Sequence, residues 1–189
     1  MAGASLFFAA LLPASPKTLA RGLRRRDPQL LDGLIEQYQY RLYRYLFSLT
    51  GNREMAEDLF QETWIRVLDR GHQYDGRSKF EAWLFSIARH LVIDVSRKRA
   101  FESIDSLTVE PAAAEPSSWE RVNSREVQAA IEESLGRLPA VYREVLVLRF
   151  QEDLALHEIA AIVDAPLATV KSRLYRGLET LRGLLGGME

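Results

Sequence analysis

The stretch "PLATVKSRLYRGLETLR", Pro166–Arg182, decides how this chain is read. At 100° per residue, Val170, Leu174, Leu178 and Leu181 fall on one stripe, which must face a core. Thr169, Ser172 and Arg176 lie opposite, with Lys171 and Arg173 on the flanks. A chain of formal net charge −1 thus gathers three cations within six residues on one outer face. Just upstream, "LALHEIAAIV" (Leu154–Val163) carries a second stripe through Leu156, Ile159, Ala160 and Val163. The intervening "DAPLA" leaves room only for two sharply angled helices. Pro166 suits the first turn of the second helix, where its missing N–H would be unpaired anyway. Together these features predict a helix-turn-helix. In that motif the second helix enters the DNA major groove and offers side chains to base edges and phosphates. An amphipathic helix pair that binds nothing has the same pattern, so the rest of the chain has to discriminate.

With 189 residues, 47% of them hydrophobic, the chain can supply one core or two small ones. It has no cysteine, which rules out a disulfide framework, a thiolate metal site and a thiol switch. The three histidines, His72, His90 and His157, have no ligand spacing and read as surface or boundary residues. No Gly-rich phosphate loop, nucleophile elbow or paired-carboxylate pattern is present. The expectation is a binding protein rather than an enzyme, with no cofactor and no metal. The opening "ASLFFAALLPAS" is far shorter than the roughly 20 residues that span a bilayer, and it lacks a basic segment ahead of it. Residues 1–18 therefore read as a disordered or loosely docked extension, with no membrane insertion and a cytoplasmic location.

Charge divides the remainder. Residues 18–100 hold 15 Lys and Arg against 11 Asp and Glu. Residues 101–120, "FESIDSLTVEPAAAEPSSWE", hold five acids, two prolines and no base, which reads as a flexible acidic linker. Trp119 marks the return of order. The expected architecture is all-α: a helical module over 19–100, the linker over 101–120, and a second module over 121–186 that contains the helix-turn-helix.

In the first module, Leu30, Leu31, Leu34, Ile35, Tyr38, Leu42, Tyr45 and Leu49 keep helical spacing, and Gly51 is the expected stop. The next helix, "REMAEDLFQETWIRVLDR", buries Ala56, Phe60, Thr63 and Val67. Its outer face carries Asp58, Gln61 and Glu62 around Ile65 and Leu68. A polar face with apolar residues set in it is how a protein-docking surface looks, although single exposed apolar residues are also ordinary. The third stretch, "SKFEAWLFSIARHLVIDVSRKR", places Phe80, Leu84, Ile87 and Leu91 in the core and Trp83 at its edge. Phe85 and Arg89 are expected to point outward. Val92 and Ile93 fall off the stripe, which predicts a break near His90. The stretch ends in the basic run Arg97, Lys98 and Arg99. Aromatics beside arginines suit stacking on unpaired bases along a phosphate track.

Taken in order, "AEDLFQETWIRVL", "KFEAWLFSIARHLVIDVSRKR" and "LPAVYREVLVLRFQEDLALHEIAAIVDAPLATVKSRLYRGLETLR" resemble a bacterial RNA polymerase sigma factor of the sigma-70 family. The extracytoplasmic-function group, which has only sigma domains 2 and 4, is the nearest in organisation. The resemblance spans about Leu19 to Leu185. It implies a transcription initiation factor with core RNA polymerase, promoter DNA and an anti-sigma factor as partners. Asp58, Gln61, Glu62, Ile65 and Leu68 would then dock on the clamp of the largest subunit, and the second module would lie towards the polymerase flap. Trp83, Phe85, Arg89, His90, Arg97, Lys98 and Arg99 would melt and hold the minus-ten element, with a base flipped into a pocket beside His90. Thr169, Lys171, Ser172, Arg173 and Arg176 would read the minus-thirty-five element.

Three positions depart from the family pattern. Asp164 stands for the usual glycine of the helix-turn-helix turn, Ala168 for another glycine, and His90 for an asparagine. Asp tolerates the left-handed conformation better than most residues, so the turn is expected to survive. The competing readings are a stand-alone helix-turn-helix regulator and a helical adaptor that does not bind DNA. The first has no use for the α-helical docking face, and the second leaves the cation-rich C-terminal helix unexplained.

Overall fold

The computed structural model describes residues 15–102 and 133–186, and their regular structure is entirely helical. Helix α1 (Pro16–Arg25) opens where Ser15 Oγ accepts the Thr18 N–H at 3.3 Å, with proline at its first position. Arg26, at φ 53°, closes it, and Asp27 at once caps α2 (Pro28–Thr50) by accepting the Gln29 N–H at 3.1 Å. "RRRDPQ" is therefore a helix corner: a left-handed residue, a carboxylate cap and a proline that starts the next helix. Helix α1 begins at Pro16, inside the stretch expected to be an extension. Residues 1–14 lie outside the described ones.

Gly51 ends α2 at φ 61°, as its position suggested, and Asn52 caps α3 (Arg53–Arg70) by accepting the Met55 N–H at 2.8 Å. A single 3-10 turn, Gly71–Gln73, leads by a short loop to α4 (Phe80–Glu102). The break expected at His90 does not occur. Val92 and Ile93 are half-buried within an unbroken helix. What looked like lost phase is a widened buried face, since α4 packs against α2 and α3 and also against a helix of the second module. It continues two residues into the segment expected to be linker. The rest of that segment, with Trp119, falls in 103–132, outside the described residues.

The described part of the second module contains helical residues 133–137, α5 (Ala140–Leu146), a π-helical turn (Val147–Gln151), α6 (Leu156–Ile162) and α7 (Leu167–Gly186). Asp164, between α6 and α7, stands at φ 46°. A short polar side chain lowers the cost of that left-handed conformation, and the tight turn is made without glycine. Leu146, Leu148, Ile159, Ile162 and Val170 are buried where α5, α6 and α7 meet. In the first module Tyr38, Leu42, Tyr45 and Leu46 of α2 meet Leu59 and Val67 of α3 and Phe80 and Leu84 of α4. Each fully buried large apolar side chain contributes about 1.5–3 kcal/mol relative to its exposed state.

The two modules touch directly. α2 packs on α5 and α4 on α6, and their buried apolar residues form one continuous cluster. Polar groups cross the same seam. Arg41 Nε meets Glu152 at 2.8 Å, the Tyr45 hydroxyl donates to Glu144 at 3.0 Å, and Arg143 donates to the Ser48 carbonyl at 2.7 Å. Lys79 and Glu158 are 3.4 Å apart at the rim.

Candidate functional site

Three surfaces carry the residues singled out from the sequence. The first is the outer face of α3. Ala56, Leu59, Thr63, Trp64 and Val67 turn inward. That leaves Asp58 and Gln61 exposed beside Ile65, 50% exposed, and Leu68, 41% exposed. Glu62, half-buried, accepts from Arg66 Nε at 2.7 Å. The spacing 58, 61, 62, 65, 68 is one helix face, so all five expected docking residues come together.

The second surface is α4 and the end of α3. Phe80, Leu84, Ile87 and Leu91 are buried as expected, and Trp83 sits half-buried against Tyr74 and Phe80, with ring centroids 5.3 and 5.8 Å away. Phe85 is a correction. It has no exposed surface, and its ring meets Tyr45 edge-on at 5.0 Å. With α4 covered on more than one side, the Phe85 position faces core and is closed to a stacking base. Arg89 is also not outward. Its side chain is only 17% exposed, and Nε donates to Glu144 of the second module at 2.9 Å.

His90 is exposed, and its Nδ1 lies 2.6 Å from the Ser86 carbonyl. A carbonyl only accepts, so Nδ1 carries the proton, and in the neutral ring Nε2 is left as an acceptor. His90, Ser86 and Trp83 line one wall of a cleft whose other wall is Arg66, Arg70 and Gln73. The sequence reading overlooked those three residues; the i, i+4 pair Arg66 and Arg70 at the end of α3 was the available signal. In place of a break at His90, the structure has this cleft between two helices. Arg97 and Lys98 are exposed further along α4, while the side chain of Arg99 lies outside those described.

The third surface is α7. Val170 and Leu174 are buried and Leu178 and Leu181 half-buried, so the expected stripe faces α5 and α6. Gly177 sits beneath α5, where an added Cβ would come within 3.2 Å of Leu146. Lys171, Ser172 and Arg176 are exposed and Thr169 and Arg173 half-buried. Thr169, Ser172, Arg173 and Arg176 line a shallow groove with Val141 and Tyr142 of α5. Tyr175, 69% exposed on the same helix, was missed because a lone aromatic beside a basic face carries no spacing signal.

Burial governs the ionisable groups at the seam between the modules. It pushes the Tyr45 hydroxyl well above its ordinary range, with Glu144 beside it adding to the effect. It also raises Glu152 above the usual glutamate value, against the opposing pull of Arg41. Among the described residues no cluster of His, Asp and Glu could hold a metal ion. None of their helices is long and apolar enough to cross a membrane.

Two family models match: Sigma-70 region 2 over residues 34–102 and Sigma-70, region 4 over residues 128–181. The chain is 31% identical over 178 residues to the ECF RNA polymerase sigma factor SigW of Bacillus subtilis, covering 88% of this chain and 94% of SigW. It is 32% identical over 154 residues to SigM of the same organism, covering 82% of this chain and 94% of SigM. Among solved structures it resembles the sigma factor RpoE of Bartonella quintana, determined in complex with the anti-sigma factor NepR. The TM-score is 0.68 at 26% identity, over 82% of this chain and 98% of that one. The region 2 match contains the α3 face and the α4 cleft, and the region 4 match contains the helix-turn-helix. The chain belongs to the extracytoplasmic-function group of the sigma-70 family, the factors that direct RNA polymerase to promoters.

Proposed function

We propose that the α3 face docks on the clamp of core RNA polymerase, that the α3–α4 cleft receives the melted minus-ten strand, and that α7 reads the minus-thirty-five element. The observation that carries this reading is the division of labour among surfaces. One face mixes carboxylates and amide with exposed Ile65 and Leu68, and two other faces carry more cations than carboxylates, Asp94 being the acid that lines the cleft. Protein interfaces need an apolar centre, whereas nucleic acid needs cations and groups that reach base edges. On α7, Arg173 and Arg176 are suited to base or mixed contacts and Lys171 to a phosphate. In the cleft, Trp83 offers a stacking edge and His90 a rigid ring whose Nε2 is left to accept from an extruded base. The chain acts in the cytoplasm, has no catalytic step of its own, and is held in reserve by an anti-sigma factor.

The docked arrangement must open for this work. Elements centred near minus ten and minus thirty-five are roughly 25 base pairs apart, about 85 Å at 3.4 Å per base pair. Arg89, assigned to the first element, and Glu144, in the module assigned to the second, are in hydrogen-bond contact. The two readers cannot reach both elements in this form. A stand-alone regulator would need neither the α3 face nor the separation.

A gel shift with and without core polymerase tests the assignment. Promoter-specific binding is expected only when core is present, since a chain of near-neutral charge has little general affinity for phosphate. Tight promoter-specific binding by the isolated chain would contradict it.

A further inference from the structure

Helix α1 carries a charged face that none of the roles above uses. From Pro16 to Arg26 the chain has five cations, Lys17, Arg21, Arg24, Arg25 and Arg26, and no acid. All five are exposed, and no ion pair joins any of them to a described residue. Lys17, Arg21, Arg24 and Arg25 recur at i, i+4, i+7 and i+8, so they form one stripe, about 12 Å long at 1.5 Å per residue. Ala20 and Leu23 are buried on another side. One-fifth of the chain's 25 cations stand here, on a protein whose net charge is −1. Concentrating unpaired charge of one sign raises the local potential, and that favours a polyanion.

The position of α1 says which polyanion. The helix lies across the turn that joins α3 to α4. A Cβ on Gly71 would come within 3.2 Å of Leu23 Cβ, and one on Gly76, at φ +72°, within 2.7 Å of the Pro16 carbonyl oxygen. Gln73, between those glycines, lines the cleft with Arg66, Arg70 and His90. Helix α1 is thus anchored, through Leu23 and Pro16, against the turn that carries Gln73 to the cleft, and its cations stand exposed on that helix. A membrane surface fits poorly, because interfacial helices need a free apolar face and that of α1 is already buried. A protein partner fits poorly too. The stripe holds no apolar or aromatic anchor of the kind Ile65 and Leu68 give α3.

We infer that α1 is a phosphate rail: Lys17, Arg21, Arg24 and Arg25 grip the backbone of the opened promoter strand where it leaves the α3–α4 cleft. The inference rests on the assignment of that cleft to the minus-ten strand. The contacts are to phosphate, so they add affinity and position without reading sequence.

The test uses the full chain assembled with core polymerase and a fluorescent fork-junction promoter DNA, titrated over a salt series. Three forms are compared: wild type, Arg21→Ala/Arg24→Ala/Arg25→Ala, and the matching triple Arg→Lys form. The alanine form is expected to bind the fork roughly tenfold more weakly. Its log–log salt dependence should be shallower by about 1.4–2.1, the loss of two to three single-strand phosphate contacts at ~0.7 each. The lysine form should stay near wild type, because a rail needs charge rather than fork geometry. Unchanged fork affinity and slope in the alanine form overturn the rail. So does a loss of core affinity with intact DNA binding once assembled, which would mark an acidic protein surface. Charge-dependent binding of the free chain to phosphatidylglycerol vesicles, with fork binding unaffected, would mark a membrane and overturn it as well. If the wild-type assembly binds the fork no better than core alone, the cleft assignment itself fails and takes the rail with it.

Discussion

Arg89 Nε and Glu144 lie 2.9 Å apart across the seam between the two modules, and the same carboxylate accepts the Tyr45 hydroxyl at 3.0 Å. Glu144 is buried, so its two partners replace the water it has lost. A guanidinium assigned to promoter DNA is thereby held by a carboxylate of the other reader. Under the proposed function, DNA phosphate and Glu144 would compete for this one cation, with the outcome set by whether the modules are joined or apart.

Replacing Glu144 with alanine should therefore loosen the joined form. It leaves Tyr45 buried without its acceptor and Arg89 without its counter-charge, a loss of about 1–3 kcal/mol for the joined arrangement. The modules would separate more readily while each stays folded. Small-angle scattering of the free chain should report a larger radius of gyration than wild type. An unchanged radius would mean that the apolar seam alone holds the modules.

Glu152 gives the joined form a pH dependence of known sign. Burial raises its folded-state pKa above the ordinary 4.5. The folded, joined state then binds a proton more tightly than the unfolded chain, so the contribution of this group is fully present below about pH 4.5 and is lost as pH rises through the raised value. Denaturation at pH 5 and pH 7 should show wild type losing more stability over that interval than Glu152→Gln. Equal pH dependence in the two would show that burial of this carboxylate is not felt.

Phe85→Ala separates a core role from a base-stacking one. The side chain is fully buried against Tyr45, so truncation should cost about 3–5 kcal/mol of stability through the cavity it leaves. Trp83→Ala, at the half-buried edge, should cost less and act chiefly on promoter opening. Chemical denaturation measures the first, and permanganate reactivity of the melted bases measures the second. A Phe85→Ala chain of wild-type stability would restore that residue to the DNA surface.

On α3, Asp58→Ala/Gln61→Ala/Glu62→Ala should shift stability by no more than about 0.5 kcal/mol, since among the described residues only Glu62 of the three has a partner, the surface pair with Arg66. Affinity for core polymerase should fall clearly. Undiminished affinity would remove the docking role from this face.

Periodicity and local chemistry made much of this legible in the sequence. The α7 stripe from Val170 to Leu181, the stop at Gly51 and the left-handed Asp164 all depend on residues within a turn or two of one another. Phe85, Arg89 and the continuous α4 were misread for one shared reason. Phe85 is enclosed by Tyr45 of α2, about 40 residues back, Arg89 is held by Glu144, 55 residues on, and α4 is widened by its contact with α6; no helical period records such contacts. The cleft escaped notice because Arg66, Arg70 and Gln73 meet His90 only after the turn at Gly71 folds α3 back beside α4. The basic stripe of α1 was present as plain charge, but it gained meaning only from its place against that turn.

Run-off transcription with purified core polymerase tests the central claim most directly. Templates would carry intact, minus-ten-altered or minus-thirty-five-altered promoters, and the chain would be wild type or Arg176→Ala. A defined transcript should appear only when the chain is added, should be lost when either element is altered, and should weaken with Arg176→Ala in the way the loss of one good base contact, about 1–3 kcal/mol, requires. Core polymerase that yields the same products with and without the chain would contradict the account.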